Sequence, residues 1–171
     1  AYGAKKGKLT GSVNQFISGK CFLYYNPMRS QYKIDDIAAD NYREYIRGSI
    51  QMLYSASFFA EILLKTYVGG GEYQLLYKLL EGALNSLSED EKRNRIMIQF
   101  IWRYLSISGF ISPDLDYCAE CGRKFFIDDN LVLDQNIPAM VCESHKQSDN
   151  ELVLYPAARK YLIYTKDMSF D

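Results

Sequence analysis

Four side chains constrain this chain more than any other feature of it. Cys118-x-x-Cys121 is followed, after twenty intervening residues, by Cys142-x-x-His145. Three of the four cysteines and the only histidine fall in these two pairs. A Cys-x-x-Cys turn places two thiolates on one side of a backbone loop, and two such knuckles offer four ligands in a tetrahedron, which suits zinc. Four protein ligands leave no open coordination position, so Cys118, Cys121, Cys142 and His145 are expected to hold a structural Zn2+. A redox Cys-x-x-Cys would not need the second knuckle. Two disulfides are a further alternative, and chance clustering a third, but the paired histidine favours metal. Cys21, apart from the rest in an aromatic run, is expected as a buried free thiol.

The segments around this cluster change character along the chain. Lys20–Tyr25 is aromatic-rich and ends at the turn signal Asn26-Pro27, and residues 31–38 form a second extended candidate. Two or three strands cannot close a sheet, so the first forty residues read as the tail of a small β domain whose beginning lies outside the chain. From Tyr42 to Val68 the period is helical and apolar on most sides (Ile46, Ile50, Met52, Leu53, Tyr54, Phe58, Phe59, Ile62, Leu63), which is the pattern of a helix central to a bundle. Gly69–Gly71 ends it. Leu75, Leu76, Leu79, Leu80, Ala83, Leu84 and Leu87 mark an amphipathic helix. Ser88 with Glu91 forms a capping box for a third, running to a stop near Gly109. Within the irregular stretch after Pro113, Phe125–Ile127 and Leu131–Leu133 read as a hairpin around Asp128–Asn130, and residues 156–166 as a short helix. The fold class is therefore α+β.

Charge adds a directional constraint. The net charge of −1 conceals a first segment, residues 1–34, that carries six cations and no acid. The other 137 residues are net −7. A polyanion would be drawn to the first segment rather than to the average surface. No run of about 18 apolar residues offers a membrane span, and the N-terminus lacks the apolar core of a signal peptide. No Gly-x-x-x-x-Gly-Lys-Ser/Thr loop is present. The lone histidine is assigned to metal, and no histidine-glutamate pair of the deaminase type occurs. A non-enzymatic protein is expected.

The string Ile107-Ser-Gly109-Phe110-Ile-Ser-Pro113-Asp114-Leu115-Asp116-Tyr-Cys118-Ala-Glu-Cys121-Gly122-Arg123 resembles the helix end and first zinc knuckle of the bacterial DNA-repair protein family RecO. Gly3-Ala4-Lys5-Lys6-Gly7-Lys8, followed by Gly11 and Phe16, resembles that family's basic segment in an N-terminal OB-fold. The resemblance implies a partial OB-fold domain over 1–40, a helical bundle over 41–115, a zinc-binding subdomain over 116–147 and a return to the helical domain over 148–171. It implies a mediator that binds single- and double-stranded DNA and anneals complementary strands. With RecR, such a mediator helps load RecA onto DNA coated by single-strand-binding protein, whose C-terminal tail it contacts. A cytoplasmic, nucleoid-associated location follows, with no membrane partner.

Carried onto this sequence, the resemblance assigns the metal to Cys118, Cys121, Cys142 and His145, and phosphate contacts to Lys5, Lys6 and Lys8. Lys20 lies in the same basic segment, and Arg123 and Lys124 form a second basic site beside the knuckle. Phe22, Tyr24 and Tyr25 are placed in the interior of the β domain as the first expectation, with base stacking as the second. A zinc-stabilised protein-interaction module without direct DNA function is the alternative reading.

Overall fold

The computed structural model describes residues 14–66, 73–88, 92–134, 136–166 and 170. The expectations for Lys5, Lys6, Lys8, Gly69–Gly71 and Glu91 lie outside the described residues. Two compact units divide inside one helix, between Ser57 and Phe58.

The first unit is built on an antiparallel hairpin, β1 (Ser18–Asn26) and β2 (Gln31–Asn41). The Asn26 side chain accepts the Met28 N–H at 3.0 Å and closes the turn that Pro27 begins. Phe22 pairs with Asp36 and Leu23 with Ile34, so Asp35 is an extra residue, a β-bulge. The bulge preserves the two-residue alternation across the mismatch. One face therefore carries Cys21, Leu23, Tyr25, Tyr32, Ile34 and Ile37, and the other Lys20, Phe22, Tyr24, Lys33, Asp36 and Ala38. The Tyr25 and Tyr32 rings lie 5.0 Å apart.

Both faces are largely exposed, which corrects two expectations. Cys21 is an exposed thiol rather than a buried one. Phe22, Tyr24 and Tyr25 are exposed as well. The reason is topological: among the described residues β1 pairs only with β2, and a two-stranded ribbon has no interior.

The long helix expected from Tyr42 is broken in two, α1 (Glu44–Gly48) and α2 (Ile50–Thr66). Ser49 between them is extended and caps α2, its carbonyl accepting the Leu53 N–H at 2.9 Å. Nor is α2 apolar and buried all round, since Ile50, Tyr54 and Leu64 are exposed. At the start of the unit, the buried Arg43 donates through Nη1 to the Phe16 carbonyl at 2.9 Å, and Arg47 to the Gln15 carbonyl at 2.9 Å. Two arginines thus tie the entry to β1 onto α1.

In the second unit, α3 (Tyr73–Ser86) buries Leu76, Leu79, Ala83 and Leu84, the spacing the leucine pattern dictates. Helix α4 (Lys92–Ile107) buries Ile96, Phe100 and Tyr104, each four residues from the last. The Phe100 ring meets Phe59 from the middle of α2 at 4.2 Å, and the Tyr104 hydroxyl bonds the Thr66 hydroxyl. Gly109, at φ +71°, ends α4 in the left-handed conformation.

Beyond it lies a three-stranded sheet in the order β4-β3-β5: β3 (Leu131–Leu133), β4 (Met140–Cys142) and β5 (Val153–Leu154). The expected hairpin between Phe125–Ile127 and Leu131–Leu133 does not form, because β3 pairs with β4 and β5 instead. The Phe125 N–H is taken by the Asp116 carbonyl at 2.8 Å. The turn between β3 and β4 is set by the buried Asp134, whose carboxylate accepts the N–H groups of Asn136 at 2.7 Å and Ile137 at 3.1 Å. Helix α5 (Pro156–Thr165) then returns to α4: Gln99 donates to the Tyr161 hydroxyl at 3.0 Å, and Arg103 to the Thr165 carbonyl. One core joins the sheet to both helices, with Leu131, Val132, Met140 and Val141 at its centre, Leu162 from α5, and Trp102 against it from α4.

Candidate metal centre

The first knuckle is a tight loop between Asp116 and Phe125. Cys118 N–H donates to the Arg123 carbonyl at 2.9 Å and Gly122 N–H to the Cys118 carbonyl at 2.9 Å. Gly122 sits at φ +69°, a conformation that costs a residue with a Cβ about 1–2 kcal/mol. This turn brings Cys118 and Cys121 to the same side. The second knuckle leaves β4 at Cys142 and enters a 3-10 turn, Glu143–His145, which swings the imidazole back under the strand. Ala119 N–H donates to the Met140 carbonyl at 3.0 Å and locks the two knuckles together.

The four sequence-predicted ligands converge. Their donor atoms all lie within 4.8 Å of one another. Cys118 Sγ is 3.7 Å from His145 Nδ1, Cys121 Sγ is 4.0 Å from Cys142 Sγ, and Cys142 Sγ is 3.1 Å from His145 Nδ1. Ligand bonds of about 2.3 Å to sulfur and about 2.0 Å to nitrogen give tetrahedral edges of about 3.5–3.8 Å. Three thiols and one imidazole are also the donor chemistry zinc prefers. The cluster is a possible metal site, consistent with zinc.

The surroundings favour thiolates. Burial works against the charged form of Cys118, but donation from the backbone N–H groups of Cys121, Cys142 and Glu120 outweighs it and lowers the pKa. Cys142 is likewise opposed by burial and brought down to about 6 by hydrogen bonds from Ser144, His145, Cys118 and Cys121. The Ser144 hydroxyl lies 3.0 Å from its sulfur. Hydrogen bonds to Cys142 and Cys118 raise the pKa of His145. Cys121 moves upward: donation from the Arg123 backbone is overcome by burial and by the neighbouring thiolates of Cys118 and Cys142.

The expected basic residues are distributed differently. Lys20 is exposed on β1 in the first unit, on the face that holds Phe22, Tyr24 and Lys33. Arg123 and Lys124 lie in the second unit. Arg123 is ion-paired with Asp129 at 3.0 Å and lies 5.8 Å from the Phe126 ring centre. Lys124 is exposed at the rim of a cavity that also takes in Arg159, Lys160 and Tyr164 from α5. Sequence reading missed this second group. Its one signal was the pair Arg159-Lys160 a turn after Pro156, in a helix otherwise read only for its length.

Among the described residues no helix is long and apolar enough to cross a membrane. The family model described as Recombination protein O C terminal matches residues 47–168, and so takes in both knuckles and every helix from α2 to α5. No curated protein and no solved structure matches the chain.

Proposed function

This chain belongs to the recombination protein O family of recombination and repair proteins, and from that premise we propose that it is a non-enzymatic DNA-binding mediator. In this reading it anneals complementary single strands and, with RecR, helps load recombinase onto DNA coated by single-strand-binding protein, contacting that protein's C-terminal tail. The first forty residues serve as part of an OB-fold. The knuckle cluster holds a structural Zn2+ whose four protein ligands leave no place for substrate.

The observation that carries the DNA reading is one face of the β1–β2 hairpin. Lys20, Phe22 and Tyr24 stand on it in alternation, with Lys33 opposite Tyr24, and both aromatic rings are exposed. Cations neutralise phosphates and exposed rings stack on bases, a combination that holds single strands without reading sequence. Lys5, Lys6 and Lys8 add to the same basic segment. Annealing then needs no bond chemistry, because screening the phosphates lowers the repulsion between two strands.

The test is binding of a labelled single strand at several salt concentrations, for the intact chain and for Lys20→Ala/Lys33→Ala. Affinity should fall steeply with salt, and the variant should flatten the slope by about 0.7 for each phosphate it no longer neutralises. An intact chain that ignores DNA at low salt overturns the reading. The other hairpin face, with Leu23, Tyr25, Tyr32 and Ile34 exposed, would then favour the protein-interaction module.

A further inference from the structure

A cavity of about 370 Å3 opens in the second unit between the loop after the first knuckle and helix α5. It lies at the small end of ligand pockets, which run from about 300 to 1,000 Å3. Its walls are apolar: Phe125 and Ile127 from the loop, Ile163 and Tyr164 from the helix. Its charges are three cations, Lys124, Arg159 and Lys160, against the single carboxylate of Asp116. The N-terminus of the ten-residue α5 begins at its edge with Pro156 and adds the positive end of the helix dipole.

Arg159 is the informative residue. It is only 7% exposed, yet its charge is poorly answered. Nη1 donates to the Phe126 carbonyl at 2.7 Å, and the guanidinium lies 5.5 Å from the Phe125 ring centre. Nη2 forms a loose ion pair with Asp116 Oδ1 at 3.6 Å, beyond hydrogen-bond distance, and the buried Nε has no partner. Asp116 itself is mostly exposed and screened by water. A buried cation compensated so incompletely is costly, and it leaves the cavity a net attractor for anions. At the mouth, Ile127 and Tyr164 present large apolar surfaces to solvent.

An inorganic anion would answer the charge and leave those apolar walls wet. A nucleotide offers both parts at once, a phosphate for the lysines and a flat ring for Tyr164. Bases in a duplex are already stacked and paired, so the ligand is a single strand. We propose that this cavity binds one nucleotide of a single DNA strand, with Lys124 and Lys160 holding the phosphate over the buried charge of Arg159 and Tyr164 and Ile127 receiving the base. The proposal rests on the mediator reading and deepens it. Holding both strands on one protein adds to that screening, and the chain then has one binding point in each unit, the hairpin face and the cavity.

The experiment is anisotropy of a labelled oligothymidine strand with the full chain, Lys124→Ala/Lys160→Ala and Tyr164→Ala, alongside strand-annealing rates. All three side chains are exposed, and zinc content and melting temperature verify folding. The double variant should weaken binding about tenfold or more and lower the salt slope by about 0.7, for the one phosphate it no longer neutralises. Tyr164→Ala should weaken binding about fivefold or more at unchanged slope. Both should slow annealing beyond their effect on binding one strand. Cavity variants that bind and anneal like the parent, while Lys20→Ala/Lys33→Ala does not, overturn the cavity and leave the mediator reading standing. A parent chain that binds no DNA overturns both. Cavity variants that lose an aspartate-rich apolar peptide but not the strand overturn the nucleotide in favour of a peptide.

Discussion

The backbone N–H of Cys142 donates to the Cys118 sulfur across 3.4 Å. One knuckle therefore supplies a dipole to a ligand of the other, and the donors are gathered by the polypeptide itself. Such outer hydrogen bonds orient metal ligands and tune their charge. They do not neutralise the three thiolates, which is what the ion contributes.

The protein as purified should hold about one zinc ion per chain, and chelation should lower its melting temperature and open amide exchange in residues 116–146. Sites of this type contribute on the order of 10 kcal/mol or more. Cys121 is exposed, so Cys121→Ser removes a ligand without leaving a cavity and should reproduce the effect of the chelator. Cys21→Ser, at the exposed thiol of β1, should change stability by no more than about 0.5 kcal/mol. A melting curve indifferent to chelator would count against a structural metal.

Acid should release the ion. The Cys142 pKa is depressed from the usual 9.0 to about 6 in the folded chain. Its thiolate therefore adds stability that is present in full above the unfolded value and is lost as the pH falls through about 6. Cys121 is raised and still carries its proton at neutral pH, so metal binding there expels a proton. Zinc affinity by chelator competition should rise with pH above 7 and fall more steeply below about 6, where Cys142 also takes up a proton. An affinity independent of pH between 5 and 8 would exclude thiolate ligation.

Gly122→Ala places a Cβ at φ +69° inside the first knuckle. Nothing lies within 4 Å of that Cβ, so the cost is conformational alone, about 1–2 kcal/mol. Urea denaturation should show it with the m-value unchanged. A neutral result would mean that the loop can adopt another turn.

Phe100→Ala should cost about 3–5 kcal/mol. The ring is fully buried and stacks between Phe59 and Tyr104. Denaturant unfolding of the zinc-loaded protein measures it, and a loss below about 1 kcal/mol would show that α2 and α4 do not share a core in solution.

What could be read from the chain was what local spacing determines. A Cys-x-x-Cys loop has few conformations, so four residues named the metal cluster. The apolar run Met97, Phe100, Ile101, Tyr104 and Leu105 placed α4, with Gly109 at its end, but of these only Phe100 and Tyr104 are buried, and the third buried residue is Ile96. Partner choice was not local. Strand β3 has only three residues, and its preference for Met140–Cys142 over Phe125–Ile127 depends on Asp134 folding the turn and Asp116 occupying the Phe125 N–H. Ser49 looked like one more helical residue, although its side chain and carbonyl restart the helix. The exposure of Cys21 follows from which strands surround β1, and composition carries no trace of that. Arg159 escaped notice because an arginine in a short helix is ordinarily solvated, and its burial appears only once Phe125 and Phe126 are folded against it.

The order β4-β3-β5 has a consequence for how the second unit comes apart. Its last strand rejoins the sheet beside its first, and α5 is fastened to α4 through Gln99 and Tyr161. The exposed turn at Ser148–Asn150 precedes both attachments in the chain. A protease that nicks the backbone there would cut the chain without separating it: the two fragments would remain associated through β3, β5 and the α4–α5 packing, and would travel as one species until denatured.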